Sequence, residues 1–168
     1  LILRVGYDPI EMRTGWRNLW DSSKTRVVEF LIAPEYSYMH KSSIRFVCNI
    51  SEGIEALSKG LEKKTTWGNG ELIEVRNKHE TIYGQKQEWG PGAITETVRS
   101  LVPRDTVITM DSGAHRILIS QAWRTYVPRS ALQSSAFCTM GCALPLATGA
   151  KLADPARVVV AFMGDGGL

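Results

Sequence analysis

Ser134-Ser-Ala-Phe-Cys-Thr-Met-Gly-Cys-Ala-Leu-Pro-Leu-Ala-Thr-Gly-Ala-Lys-Leu-Ala-Asp-Pro-Ala-Arg157 leads into Val158-Val-Val-Ala-Phe-Met163 and then Gly164-Asp-Gly-Gly-Leu168. The first part is rich in small residues and predicts a helix from Gly141 to Leu152 that can pack closely. Asp154-Pro155 turns the chain, and the β-branched run predicts a buried strand over Val158–Met163. The strand delivers a glycine loop carrying one carboxylate, Asp165. Such a loop exposes backbone N–H groups to an anion, and the glycines let that anion come close. A carboxylate beside an anion site calls for a divalent cation between them, because two anions in one pocket repel.

Working back from this stretch, Ala93–Leu101 predicts a helix with Ile94, Val98 and Leu101 on one face. Thr106–Met110 predicts a strand, Asp111–Arg116 a loop at its carboxyl end, and Ile117–Trp123 the start of a helix. Leu132–Ser134 is a candidate short strand. Helix and strand alternating at this spacing mean a parallel sheet, with ligands at the carboxyl ends of the strands. The expected fold is therefore α/β, a three-layer α/β/α arrangement on parallel sheets.

The first sixty residues read strand (Leu1–Val5), loop, strand (Arg26–Ile32), strand (Ile44–Cys48) and helix (about Glu52–Leu61). Asn49 or Ser51 is available as the N-cap, with Ser51 the expected donor of the cap oxygen. The polar, glycine-containing run 63–90 reads as a linker holding a helical segment from about Glu71 to Gln87. The expected organisation is one domain portion over 1–62, a linker over 63–90 and a second portion over 91–168. The opening Leu1-Ile-Leu-Arg reads as the middle of a strand and the end falls inside the glycine loop, so the chain is read as a piece of a longer protein.

Composition narrows the partners. Twenty basic against 17 acidic residues, with no basic run, leave no electrostatic footprint for nucleic acid. No apolar run approaches a membrane span. Three cysteines without metal-ligand spacing point to a reduced, cytoplasmic protein.

Three of these segments, in this order and spacing, resemble the thiamine diphosphate-dependent enzymes of the acetolactate synthase type. Met140–Ala150 is similar to that family's Met-Gly-Phe-Gly-Leu-Pro-Ala-Ala-Ile-Gly-Ala segment. Val158–Gly167 is similar to the strand and Gly-Asp-Gly that open its cofactor motif, and Asp111-Ser-Gly-Ala-His115 stands where it has a Val-Gly-Gln-His diphosphate loop. Residues 1–62 resemble, more loosely, the end of the family's middle domain. The resemblance implies thiamine diphosphate and Mg²⁺ as cofactors, with Asp165 as metal ligand. It implies that Gly113, Ala114, His115, Gly164, Gly166 and Gly167 surround the diphosphate. Met140 would lie beneath the cofactor and hold its bent shape, and the Cys138 carbonyl would accept from the 4′-amino group, making these two the catalytic candidates. The bent shape brings the 4′-imino nitrogen to the thiazolium C2–H, so the cofactor deprotonates itself; the implied reaction is 2-oxo acid decarboxylation or carboligation, a lyase or transferase. A homodimer or homotetramer with its site between subunits is implied as well.

The departures matter equally. The family's activating Glu lies in an N-terminal domain that this chain does not match, and its second metal side chain, an Asn, would fall beyond Leu168, so the chain by itself is expected to be inactive. Tyr7–Met12 replaces the Arg-Phe-Asp-Asp-Arg run of FAD-binding members, and Leu31–Tyr36 replaces their acidic pair. FAD binding is therefore doubtful, with Arg13 the one retained nucleotide contact. Ala114 replaces the glutamine of the diphosphate loop. Arg116, Arg124 and Arg129 are expected on a solvated face, and the tryptophans in loops and interfaces. The reading from another class is a non-catalytic α/β module that binds nucleotides or phosphate.

Overall fold

The structure, a computed structural model, describes residues 1–7, 19–21, 23–34, 40–64, 66–83, 89–135 and 137–168. The chain divides into two compact units, Leu1–Thr65 and Thr66–Leu168. Each carries its own three-stranded parallel sheet.

In the first unit, β1 (Ile2–Val5), β2 (Val27–Leu31) and β3 (Ile44–Val47) pair in that order. The central strand β2 is the most buried, because it alone has neighbours on both sides. Its register aligns Arg4 with Glu29 and Glu29 with Arg45. Side chains at aligned positions share a face of the sheet. A carboxylate with no exposure thus lies between two guanidinium groups: it pairs with Arg4, itself buried, and accepts from Arg45 Nε at 2.8 Å. Burial pushes the Glu29 carboxyl up, but hydrogen bonds from Arg45 and Ser42 and the charge of Arg4 hold it below its ordinary value.

Helix α1 spans Ile50–Ser58. Asn49 caps it, accepting from the N–H groups of Ser51 (3.0 Å) and Glu52 (3.3 Å). Ser51, expected to give the cap oxygen, lies inside the helix. Asn49 wins because it sits where the chain leaves Cys48 in extended geometry, one residue ahead of the first helical one. The helical spacing of Ile54, Leu57 and Leu61 in the sequence suggests an apolar face, but Leu57 and Leu61 are exposed. Arg13, Trp16 and the segment compared with FAD-binding members over 8–12 and 35–36 lie outside the described residues.

In the second unit, α2 (Glu71–Tyr83) has no buried residue. Helix α3 (Pro91–Leu101) precedes β4 (Val107–Met110), α4 (Ala114–Ala122), β5 (Ala131–Gln133), α5 (Ala143–Ala153) and β6 (Val159–Phe162), and a single 3-10 turn covers Asp165–Gly167. The strand order is β5-β4-β6. The chain therefore moves one way from β4 to β5 and the other way from β5 to β6. Right-handed crossovers then put α4 and α5 on opposite faces, which gives the expected three layers. The core is Ile108, Met110, Ile119 and Trp123, with Val98, Val102, Val160 and Phe162 packed on it.

Four expectations need correction. Helix α4 begins at Ala114, not Ile117, so His115 and Arg116 occupy its first turn rather than a loop. Arg116 is buried, not solvated, whereas Arg124 and Arg129 are exposed as expected. Trp123 belongs to the core, with its ring edge-on to Phe162 at 5.7 Å. On α3 the buried face is Gly92, Thr95 and Arg99, while Ile94 and Leu101 are exposed; Arg99 turns inward because its guanidinium bonds the carbonyls of Val102 and Pro103 and stacks over Trp123 at 4.7 Å.

Candidate cofactor site

Every site residue expected from the sequence lies in a segment that follows the carboxyl end of β4, β5 or β6. Gly113, Ala114 and His115 follow β4, Cys138 and Met140 lie between β5 and α5, and Gly164–Gly167 leave β6. Strand β4 is central in the sheet, so its two neighbours bring their loops to it from either side.

The β4 and β6 loops meet at His115. A Cβ placed on Gly113 would lie 2.7 Å from His115 Cε1, so no larger residue fits there without moving the ring. A Cβ on Gly164 would lie 3.5 Å from the same atom. The imidazole therefore stands against both glycines, in the first turn of α4. Its Nε2 is buried and without a hydrogen-bond partner among the described residues. A buried polar nitrogen without a partner is uncommon and marks a place where a ligand atom can satisfy it. The free N–H groups of the α4 N-terminus, where no side chain caps the helix, carry the matching positive potential.

The β5 and β6 loops meet at Met140 and Gly166. Met140 is 70% exposed, and its Sδ stands 3.8 Å from where a Cβ on Gly166 would be. A large thioether left this open is not core packing. Cys138 adopts φ +49°, the left-handed region that side chains rarely occupy. Asp165 is exposed, with Oδ1 accepting from the Gly166 N–H at 3.0 Å. Among the described residues no group of three or more His, Cys, Asp or Glu side chains gathers. A Mg²⁺ ion held by one carboxylate, phosphate oxygens and water needs no such group.

Sequence reading missed the residue that ties these loops together. Asp111 is 1% exposed, and its Oδ1 accepts from the Ala143 N–H at 2.6 Å. Burial pushes its carboxyl up, but N–H groups of Ala143, Gly141 and Cys142 and the Cys142 thiol outweigh that and hold it below its ordinary value. Helix α5 has no capping side chain of its own, so Asp111 does that work from 32 residues away. The other oxygen, Oδ2, has no partner among the described residues and faces Gly167, where any Cβ would overlap it. The carboxylate thus joins the end of β4, the start of α5 and the glycine loop. The only signal in the sequence was an acidic residue directly after a buried strand.

This is a site built by glycine loops and helix N-termini at the carboxyl edge of a parallel sheet, the class of site that binds phosphate-bearing cofactors. Residues 111–168 match the family model described as the thiamine pyrophosphate enzyme C-terminal TPP-binding domain. The chain is 28% identical over 176 aligned residues to the catabolic acetolactate synthase of Raoultella terrigena, covering 99% of this chain and 31% of that protein. It is 27% identical to the acetolactate synthase of Bacillus subtilis over 99% of this chain and 30% of that protein. Over 75 residues it is 41% identical to the large subunit of Escherichia coli acetolactate synthase isozyme 1, covering 45% of this chain and 13% of that protein. Along nearly its whole length the chain is thus similar to acetolactate synthases, and its residues 111–168 match the thiamine diphosphate-binding domain model. It spans about a third of the length of the curated relatives it matches. Among the described residues no helix is long and apolar enough to cross a membrane.

Proposed function

We propose that this chain forms the thiamine diphosphate- and Mg²⁺-binding part of a 2-oxo acid decarboxylase or carboligase. The observation that carries the reading is the convergence of three loops on one edge of the sheet, with His115 Nε2 buried and unsatisfied where a diphosphate oxygen would lie. Gly113, Ala114 and His115 would offer donors from the first turn of α4, and Gly164, Gly166 and Gly167 from the glycine loop. Asp165 would hold the metal that bridges to the diphosphate. Met140, standing open between these loops, would support the underside of the cofactor, and the Cys138 carbonyl would accept from its amino group. The bound group supplies an electron sink for cleaving and forming carbon–carbon bonds next to a carbonyl. The residues' part would be orientation: Met140 and the Cys138 carbonyl would hold the group in place beside the substrate.

Under this proposal residues 1–62 are the end of a middle domain, 63–90 a connection and 91–168 the first part of the cofactor domain. Turnover then requires the two thirds of the relatives' length that this chain does not cover, in a cytoplasmic homodimer or homotetramer. Loss of the acidic pair speaks against FAD.

Met140 separates this reading from a plain phosphate-binding module. In the complete enzyme, Met140→Ala is expected to keep thiamine diphosphate affinity while turnover falls about 100-fold, the scale of a misplaced reacting group. Unchanged turnover, together with binding of ADP as tight as that of thiamine diphosphate, would make Met140 a surface residue and favour the module.

A further inference from the structure

Arg116 sits in the first turn of α4 and is 6% exposed. Its Nη1 donates to the Ser134 carbonyl at 3.4 Å and to Cys138 Sγ at the same distance. The Cys138 thiol in turn donates to the Ser135 carbonyl at 3.6 Å. The helix N-terminus is the unfavourable end for a cation, and burying a guanidinium there adds desolvation, which its hydrogen bonds must offset. What the contacts do is fasten a loop, and they fasten it at Cys138, a non-glycine residue at φ +49°. Such a residue relaxes out of the left-handed region unless its surroundings hold it there.

We propose that Arg116 is a positioning residue for the site: it holds Cys138 in the left-handed conformation and so fixes the direction of the Cys138 carbonyl and the path of Thr139 and Met140. The consequence for the cofactor rests on the function proposed above; the tether itself does not. Removing the guanidinium frees the Ser134 carbonyl and leaves the Cys138 side chain with only its weak bond to the Ser135 carbonyl. Rotation about φ of Cys138 then swings the following peptide, and the carbonyl points away from its present direction. A glycine at 138 has no preference against positive φ and needs no tether.

The test is a double-mutant cycle in the complete enzyme between Arg116→Met and Cys138→Gly, with Arg116→Lys as a charge-retaining control. Two readouts are used: the iodoacetamide alkylation rate of Cys138 relative to Cys48, and the affinity for thiamine diphosphate with Mg²⁺. Arg116→Met is expected to speed Cys138 alkylation severalfold and to weaken cofactor binding about tenfold, the scale set by one released left-handed residue. In the Cys138→Gly background the same Arg116→Met change is expected to alter binding by less than about twofold. Arg116→Lys keeps one donor and is expected to fall between. An unchanged alkylation rate in both Arg116 variants overturns the tether. Undiminished sensitivity to Arg116→Met in the glycine background overturns its action through Cys138. If the complete native enzyme binds no cofactor, the proposed function fails, while the alkylation readout still decides on the tether.

Discussion

Glu29→Ala is expected to lower the stability of the first unit by about 3–5 kcal/mol, the scale for removing one partner of a buried ion pair. Glu29 has no exposure and is flanked by Arg4 and Arg45 at aligned positions of three neighbouring strands. Its loss leaves Arg4, 5% exposed, without its carboxylate partner. Arg45 is a quarter exposed and can reach water. The guanidinium of Arg4 still stacks over Tyr7 at 5.0 Å and Trp20 at 5.8 Å, which offsets part of the loss. Globular domains are stable by only about 5–15 kcal/mol, so this single change takes a large share of the margin. Replacing both members with apolar residues, Arg4→Met with Glu29→Met, is expected to recover most of it, because desolvation then falls away with the charges. Urea unfolding of the three forms measures this. A loss below about 1 kcal/mol in Glu29→Ala would mean that the buried pair is a surface-type contact.

Asp111→Ala is expected to cost the second unit about 2–3 kcal/mol, the scale of a hydrogen bond to a charged acceptor. The change leaves the Ala143 N–H and the rest of the α5 N-terminus without their acceptor. Asp111→Asn keeps an oxygen for Ala143 and is expected to cost about 1 kcal/mol. The pH dependence has a fixed sign. The carboxyl of folded Asp111 lies below its ordinary value of 3.8, so the unfolded chain takes up the proton first as pH falls. Its stabilisation is fully present above about pH 5 and fades as pH drops through 3.8 and on through the lower folded value. The gap between native and Asp111→Asn is therefore expected to close in acid. A gap that stays constant from neutral pH to pH 3 would show that the charge at α5 contributes nothing.

Why some of this was legible and some was not follows from the range of each interaction. The strands β4 and β6 are short apolar runs bounded by Asp, Gly and Pro, and those boundaries are local. The glycine loop and Met140 were legible because neighbours in sequence also form the site. The start of α4 was misread because Asp111-Ser-Gly is turn chemistry, and Ala114 carries no sign of which side of the turn it belongs to. Arg116 was expected in water because charged residues are seldom buried, and Arg99 gave no sign of turning inward. Both are buried by bonds to carbonyls that only the fold brings near. Asp111 was passed over for the same reason: its partner lies 32 residues on, across a helix and a strand. The Arg4–Glu29–Arg45 row needed the strand register, which the alternation of residues alone did not supply.

The central claim is that the loops after β4, β5 and β6 hold thiamine diphosphate through a metal at Asp165. Titration calorimetry of the complete enzyme with thiamine diphosphate, in Mg²⁺ and in EDTA, tests it most directly when repeated on Asp165→Ala. Binding is expected to require Mg²⁺ and to disappear in Asp165→Ala. Binding of equal affinity in the variant, or binding indifferent to Mg²⁺, would contradict it.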